Sequence, residues 1–347
     1  MYSKICDLQN IYSAYLKARS CKRYKHEILK YTKDLENQLI LINKELHDKT
    51  YKHGKYYEFI VNDSKKRVIQ VAPFKDRIIH HSLCNIIEPI FDKKFIYDSY
   101  ACRKEKGSHK AINRLRKFIR SIKDRNNFEN YEGIYYLKCD IVKYFNSINR
   151  DILFRLIIKS IKDQSTLWLI EKIINSYTSG LPIGNLTSQL FANIYLHELD
   201  FFVKNKLRCK YYIRYMDDFI ILDVDKQKLK NNYLLIKEFV YNELKLKIDD
   251  QKTILSLANL GITFLGFQIF PYILLLKINT IKRFVKKTKK QMSHFQTKKE
   301  KLICLSNKFV NWRSYYKHGD AYGFAKRLFC KIGIKYDKNI WEWGNMV

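Results

Sequence analysis

Two adjacent carboxylates, Asp217 and Asp218, stand between the apolar, strand-prone runs Tyr212-Ile213-Arg214-Tyr215-Met216 and Phe219-Ile220-Ile221-Leu222. Such a doublet lands at the turn of a β-hairpin, with its flanks buried against a sheet. Neighbouring carboxylates repel unless a cation holds them, and Mg2+ takes oxygen ligands of this kind. An ordinary hairpin turn also accommodates Asp, so the doublet alone decides little. Upstream, however, the run Tyr135-Tyr136-Leu137-Lys138-Cys139 ends in Asp140, and the aromatic pair Tyr144-Phe145 follows. A strand delivering Asp140 beside the hairpin would converge three carboxylates, the ligand set for two divalent ions driving in-line phosphoryl transfer.

The elements that must position these residues can be read in chain order. Residues 1–50 show apolar side chains at helical spacing: Ile11, Tyr15, Leu16, Ile28, Leu29, Leu35, Leu39, Ile42 and Leu46. From Tyr56 the pattern turns to strands. Tyr57-Glu58-Phe59-Ile60-Val61 and Arg67-Val68-Ile69-Gln70-Val71 flank a polar turn, which predicts a β-hairpin with a basic tip. A helix is expected from Pro73 to Ile90; His80 and His81 on it have no ligand partner at metal spacing and read as polar helix residues. Asn149 begins a broken helix to about Asn175. Gly180-Leu181-Pro182-Ile183-Gly184 forms a tight loop before a helix that Thr187 or Ser188 can cap. Gln227 to Leu246 reads as an amphipathic helix, and residues 277–301 carry ten Lys or Arg against one Glu at helical spacing.

Composition bounds the partners. The chain has 347 residues, is 46% hydrophobic and 15% aromatic, and carries a net charge of +32. That content builds a sizeable core, and so large a basic excess points to a polyanion, with nucleic acid first among them. No apolar run approaches the roughly 20 residues needed to span a bilayer, so no membrane partner is expected. Eight cysteines without a Cys-x-x-Cys pair suggest neither a zinc site nor a disulfide framework. Reduced thiols and the lack of an apolar N-terminal core fit a cytoplasmic protein.

The Tyr-x-Asp-Asp box at Tyr215–Asp218 and the preceding Asp140 strand resemble those of the reverse transcriptases. The resemblance implies an α+β right-hand polymerase with fingers, an antiparallel-sheet palm and a helical thumb. Its blocks would be a helical extension at 1–50, fingers at 51–135 with part of 150–190, a palm at 136–268 and a basic thumb and tail at 269–347. It implies Asp140, Asp217 and Asp218 as catalytic residues that, with Ile141, hold two Mg2+ ions, Mn2+ being an alternative. Around the incoming dNTP it places Lys65 and Arg67 on the triphosphate, Phe145 under the sugar, Ile183 and Gln189 near the templating pair, and Lys252 beside the leaving pyrophosphate. Arg77 and Arg103 would touch the template. Phe264, Leu265 and Gly266 would form the primer grip, and Lys286, Lys287, Lys289 and Lys290 would hold the duplex. The partners implied are a template RNA, a primer strand and the cDNA product.

Most reverse transcriptases have Gln-Gly where this chain has Ile183-Gly184, and Ser-Pro where it has Ser188-Gln189. That combination resembles the enzymes of diversity-generating retroelements, which copy RNA with errors at adenine, some beside a small basic helical accessory protein. An apolar side chain at 183 leaves less binding energy dependent on correct nucleotide geometry. The tail around Trp312 follows the pattern of those enzymes only loosely. Two alternatives stand beside this reading. One is an antiviral-defence or retron-type reverse transcriptase that makes DNA from a partner RNA, and the other is a non-catalytic nucleic-acid-binding scaffold. The resemblance supplies no endonuclease or RNase H segment.

Overall fold

The computed structural model describes residues 1–62, 66–294 and 297. The chain divides into two compact units. The first comprises Met1–Gly107, Lys138–Ile221 and Lys230–Ile254; the second comprises Ser108–Leu137, Leu222–Leu229 and the residues from Leu255 onward. This partition interleaves along the chain and differs from the contiguous blocks expected from sequence. Lys65 and everything from 298, hence most of the expected thumb block, lie outside the described residues.

The first unit opens with four helices: α1 (Tyr2–Cys6), α2 (Leu8–Ala18), α3 (His26–Lys33) and α4 (Leu35–His47). Asp7 caps α2 by accepting the Asn10 N–H. Ile11, Tyr15, Ile28, Leu39, Ile42 and Leu46 are buried as the helical spacing predicts, but Leu16 and Leu29 are exposed. Each lies one position beyond a buried neighbour, Tyr15 or Ile28, so the helix turns it about 100° off the stripe. Strands β1 (Tyr57–Asn62) and β2 (Lys66–Val71) then form an antiparallel hairpin in which Val61 pairs with Arg67 and Glu58 with Gln70.

Helix α5 (Phe74–Asp92) packs against α2, where Asn10 Nδ2 donates to Ser82 Oγ at 2.8 Å. His80 on α5 is enclosed rather than on a polar surface, and neither ring nitrogen has a hydrogen-bond partner. Burial, with His53 and His81 nearby, pushes its pKa well down, so the ring stays neutral and needs no counter-ion.

The second unit takes up the chain at α6 (Ser108–Arg125), whose Ala111, Ile112, Leu115, Phe118, Ile119 and Ile122 form its buried stripe. Strand β3 (Tyr135–Cys139) returns the chain to the first unit. There α7 (Tyr144–Ser147), α8 (Arg150–Ile158), α9 (Gln164–Ile174) and α10 (Leu186–Phe201) follow. Asn149 caps α8 by accepting the Ile152 N–H, and Asp163 caps α9 through Ser165 and Thr166. Thr187 and Ser188 do not cap α10. The N-cap position falls at Asn185, and both hydroxyl residues are already buried in the first turn.

Strands β4 (Tyr211–Tyr215), β5 (Asp218–Asp223) and β6 (Ile254–Leu257) join β3 in a four-stranded sheet of order β4-β5-β3-β6, with helix α11 (Lys226–Asn242) between β5 and β6 in the chain. Along β5, Phe219 to Leu222 are all buried. A strand interior to a sheet and covered on both faces reads as a continuous apolar run rather than an alternating one. In the second unit, β7 (Ile262–Phe264), β8 (Phe267–Ile269) and β9 (Leu274–Leu276) form an antiparallel sheet, followed by α12 (Ile278–Met292). Arg120 Nε donates to the Pro271 carbonyl at 3.0 Å within that unit.

Candidate active site

Asp140 lies one residue past β3, and Asp217 and Asp218 lie at the β4–β5 turn, with β5 hydrogen-bonded beside β3. The sheet order therefore delivers all three carboxylates to one place. Asp140 is fixed by its backbone: its carbonyl accepts the Asp249 N–H at 2.8 Å, and the next residues pair with the 247–248 segment. Ile141 takes part in that pairing and is buried, opposite Ile248.

Charge within the cluster is balanced by two lysines. Lys252 Nζ bonds Asp140 Oδ2 at 2.7 Å and also contacts Asp249. Burial opposes its charge, but the two carboxylates outweigh burial and hold its pKa above the usual lysine range. Lys138 Nζ stands 3.0 Å from Asp218 Oδ2. Burial raises Asp217 to about 6, and the neighbouring Asp140 carboxylate adds to the shift while the charge of Arg67 opposes it. Burial likewise raises Asp218 to about 6 against the pull of Lys138. Asp218 Oδ1 is buried and has no hydrogen-bond partner.

Among the described residues, no three His, Cys, Asp or Glu side chains already form a metal cage. The donor set nevertheless fits a hard cation. It offers carboxylate oxygens only, one of them buried and unpartnered, and two are held by lysine ammoniums that a divalent ion can replace.

The Asp-Asp turn is fastened from below. Met216 adopts a left-handed φ of 56°, which a side chain with a Cβ rarely takes. Its carbonyl accepts Arg214 Nη1 at 3.0 Å. Arg214 is fully buried and spends all five N–H groups, the others going to both Asp200 oxygens, Asn193 Oδ1 and Ser99 Oγ. Tyr212 also donates to Asp200, at 2.7 Å. Sequence reasoning missed this network, although an arginine inside an apolar strand is a signal of a buried partner.

The residues expected around the nucleotide divide clearly. Arg67 is exposed on β2, and its charge is felt at Asp217. Phe145 is half-buried, while Tyr144 is enclosed and donates to the Ala192 carbonyl. The Phe145 carbonyl accepts the Leu181 N–H at 2.8 Å, and Gly180 approaches so closely that a Cβ would lie 2.3 Å from that oxygen. Ile183 and Gln189 are half-buried.

The two arginines expected on the template are engaged in the fold. Arg103 donates to Asp92 Oδ1 and to the carbonyls of Ile96, Ser99 and Asp92, which leaves it no free fork for a template phosphate. Arg77 is paired with Glu27 at 2.7 Å and lies over the Phe74 ring.

Within the second unit, Leu265 and Gly266 both have positive φ (50° and 87°) at a two-residue β7–β8 turn, the backbone of a type I′ hairpin. They are half-exposed, but Phe264 belongs to the core. On α12, Lys286, Lys287 and Lys290 are exposed opposite the buried Thr288; the Lys289 side chain lies outside the described residues.

The antiparallel sheet and its flanking helices belong to a right-hand polymerase fold, and the three carboxylates converge at the end of that sheet. The sequence profile of the family described as reverse transcriptase (RNA-dependent DNA polymerase) matches residues 51–269, and the chain belongs to that family. It is 25% identical over 283 residues to the group II intron-encoded protein LtrA of Lactococcus lactis subsp. cremoris, covering 60% of this chain and 45% of that protein. It is 22% identical over 250 residues to protein YkfC of Escherichia coli, covering 60% of this chain and 64% of that one. An uncharacterized 91 kDa protein in a cob intron of Schizosaccharomyces pombe is 30% identical over 151 residues, 40% of this chain and 17% of its own length. The chain thus spans less than two thirds of each of these relatives. Among solved structures, apo telomerase from Candida tropicalis aligns with a TM-score of 0.51 at 13% identity, covering 65% of this chain and 48% of that one, a likeness of fold.

Proposed function

We propose that the chain is an RNA-directed DNA polymerase that copies a template RNA into cDNA. The observation that carries this reading is the convergence of Asp140, Asp217 and Asp218, held by Lys252 and Lys138 and left with a buried unpartnered oxygen. Asp140, Asp217 and Asp218 would hold two Mg2+ ions, with Mn2+ as an alternative. Those ions would lower the pKa of the primer 3′-hydroxyl and neutralise charge on the departing pyrophosphate. Arg67 would offer a planar fork to the triphosphate, and Lys252, held charged beside Asp140, would give a proton to the leaving group. Phe145, braced by the 180–181 loop, excludes a 2′-hydroxyl. The Leu265-Gly266 turn meets the primer, and the α12 lysines meet duplex phosphates. Asp140→Asn and Asp217→Asn keep side-chain shape but remove an anionic ligand, so each abolishes primer extension with the melting profile retained. More than a trace of synthesis in both sinks the assignment.

Fidelity is the finer part of the reading. Ile183 puts an apolar side chain where a polar one would sense nucleotide placement, which supports an error-prone enzyme of the diversity-generating kind. Ile183→Gln should then copy more accurately, chiefly opposite template adenine, because one recovered hydrogen bond is worth roughly 0.5–1.5 kcal/mol and tenfold discrimination needs about 1.4. The measurement is an error spectrum on one RNA template, resolved by base. If the parent copies adenine as faithfully as other bases, the diversity-generating reading fails.

Relatives named for introns favour a second reading, in which the chain acts on the RNA of its own mobile element. Sequencing the RNA that co-purifies with the protein separates these from a defence or retron role: a variable-gene repeat, an intron, or a dedicated non-coding RNA.

A further inference from the structure

Strand β2 carries Arg67 and, three residues on, Gln70, whose side chain faces the opposite way and is 6% exposed. Gln70 is bonded twice to one residue of the 180–184 loop. Its Oε1 accepts the Ile183 N–H at 2.9 Å, and its own N–H donates to the Ile183 carbonyl at 2.9 Å. Its Nε2 reaches Glu58 Oε1 at 3.4 Å on the paired strand β1. The next loop residue, Gly184, comes so near that a Cβ would lie 2.9 Å from the Gln70 carbonyl oxygen and 3.0 Å from Ile69 Cγ2, and its φ is +126°. Only glycine suits that backbone. The loop is therefore docked on β2 by one backbone hydrogen bond, by a side-chain acceptor and by a close approach that any other residue would obstruct.

We propose that Gln70 is a specificity-determining positioning residue, which ties the loop carrying Ile183 to the strand carrying Arg67 so that triphosphate seating and placement of the templating base pair are set together. The inference rests on the polymerase reading above. Because Ile183 has no polar side chain, its position depends on its backbone, and Gln70 holds that backbone. The Gln70 amide is engaged by Ile183 and Glu58 and nearly enclosed, so the residue acts through the Ile183 backbone.

The test compares Gln70→Met, Gln70→Glu and the swap Gln70→Glu with Glu58→Gln, using the full chain on a primed RNA template. Gln70→Met keeps volume but loses the acceptor. Gln70→Glu keeps the acceptor but sets a second carboxylate against Glu58, and the swap returns a donor between the two positions. Losing one hydrogen bond should raise the dNTP KM about three- to tenfold, with a smaller change in kcat. Errors should rise at every template base rather than at adenine alone, and the Ile183 amide should exchange faster with deuterated solvent. The swap should restore all three readouts. If Gln70→Met does not fold, Gln70→Glu against the swap makes the same comparison. An active parent with unchanged KM and error spectrum in the folded single variants overturns this inference alone. A parent that makes no DNA overturns the polymerase reading and this inference with it.

Discussion

Arg214 and Asp200 form a bidentate ion pair with both side chains fully buried, Nε to Oδ1 at 2.7 Å and Nη2 to Oδ2 at 2.6 Å. The same guanidinium holds the Met216 carbonyl one residue before Asp217. The pair therefore acts as a pedestal for a turn whose left-handed residue would otherwise relax. Removing one partner of a buried pair leaves an uncompensated charge and costs roughly 3–5 kcal/mol. Asp200→Leu and Arg214→Leu should each lower the unfolding midpoint accordingly. Arg214→Lys should rescue little, because an ammonium cannot reproduce the fork that reaches Asp200, Asn193, Ser99 and Met216 together. Equal stability of parent and Arg214→Lys in a denaturant titration would contradict this account.

The acidic cluster gives a pH dependence of defined sign. Asp217 and Asp218 are raised to about 6 in the fold, above the usual carboxylate range. Between about pH 4 and 6 the folded state then binds more protons than the unfolded one, so these groups make stability fall as pH rises through that window. A divalent ion binds only the ionised form, so the rise in Tm on adding Mg2+ should be larger at pH 7.5 than at pH 5. In Asp217→Asn both the pH slope and the Mg2+ increment should shrink. A Mg2+ increment independent of pH would rule out these carboxylates as the binding groups.

Sugar discrimination should reside in Phe145. Phe145→Ala removes the half-buried ring and should admit ribonucleotides, read as the ratio of kcat/KM for dNTP and rNTP. Tyr144 is enclosed and bonded to the Ala192 carbonyl, so it offers no second gate. A folded Phe145→Ala enzyme with unchanged discrimination would place the gate outside this aromatic pair.

Nucleic-acid affinity should be strongly salt-dependent. Lys286, Lys287 and Lys290 are exposed on α12. Each phosphate they neutralise contributes about −0.9 to the slope of log K against log salt for B-form DNA. Replacing the three lysines with Gln should flatten that slope by about two to three units, measured by fluorescence anisotropy. An unchanged slope would assign the duplex to another surface.

How much of this was legible in the sequence depends on the range of each interaction. The Asp-Asp turn, the Asp140 strand and the β1–β2 hairpin are local patterns of polarity, and they form where that pattern places them. The Lys138–Asp218 and Gln70–Ile183 contacts join residues far apart in sequence, 113 positions in the second case. No periodicity signals such a pairing. Arg103 and Arg77 carried the correct charge for template binding, but charge alone does not reveal that Arg103 is bonded to Asp92 or that Arg77 is paired with Glu27. At α10 the N-cap position falls at Asn185, whose side chain makes no capping hydrogen bond, while Thr187 and Ser188 are buried in the first turn.

The unit that holds the three aspartates is gathered from separate lengths of chain, the last of them ending at Ile254. No nascent fragment released before that residue contains it whole. At roughly 5–20 residues per second, a ribosome needs on the order of 13–50 s to deliver the last piece. Until then Asp140 waits without Asp249 and Lys252, which hold it in the folded unit. A split-gene version cut at 107–108 would keep Asp140 and Asp217 on one fragment and leave reassociation to rejoin α5 to α10.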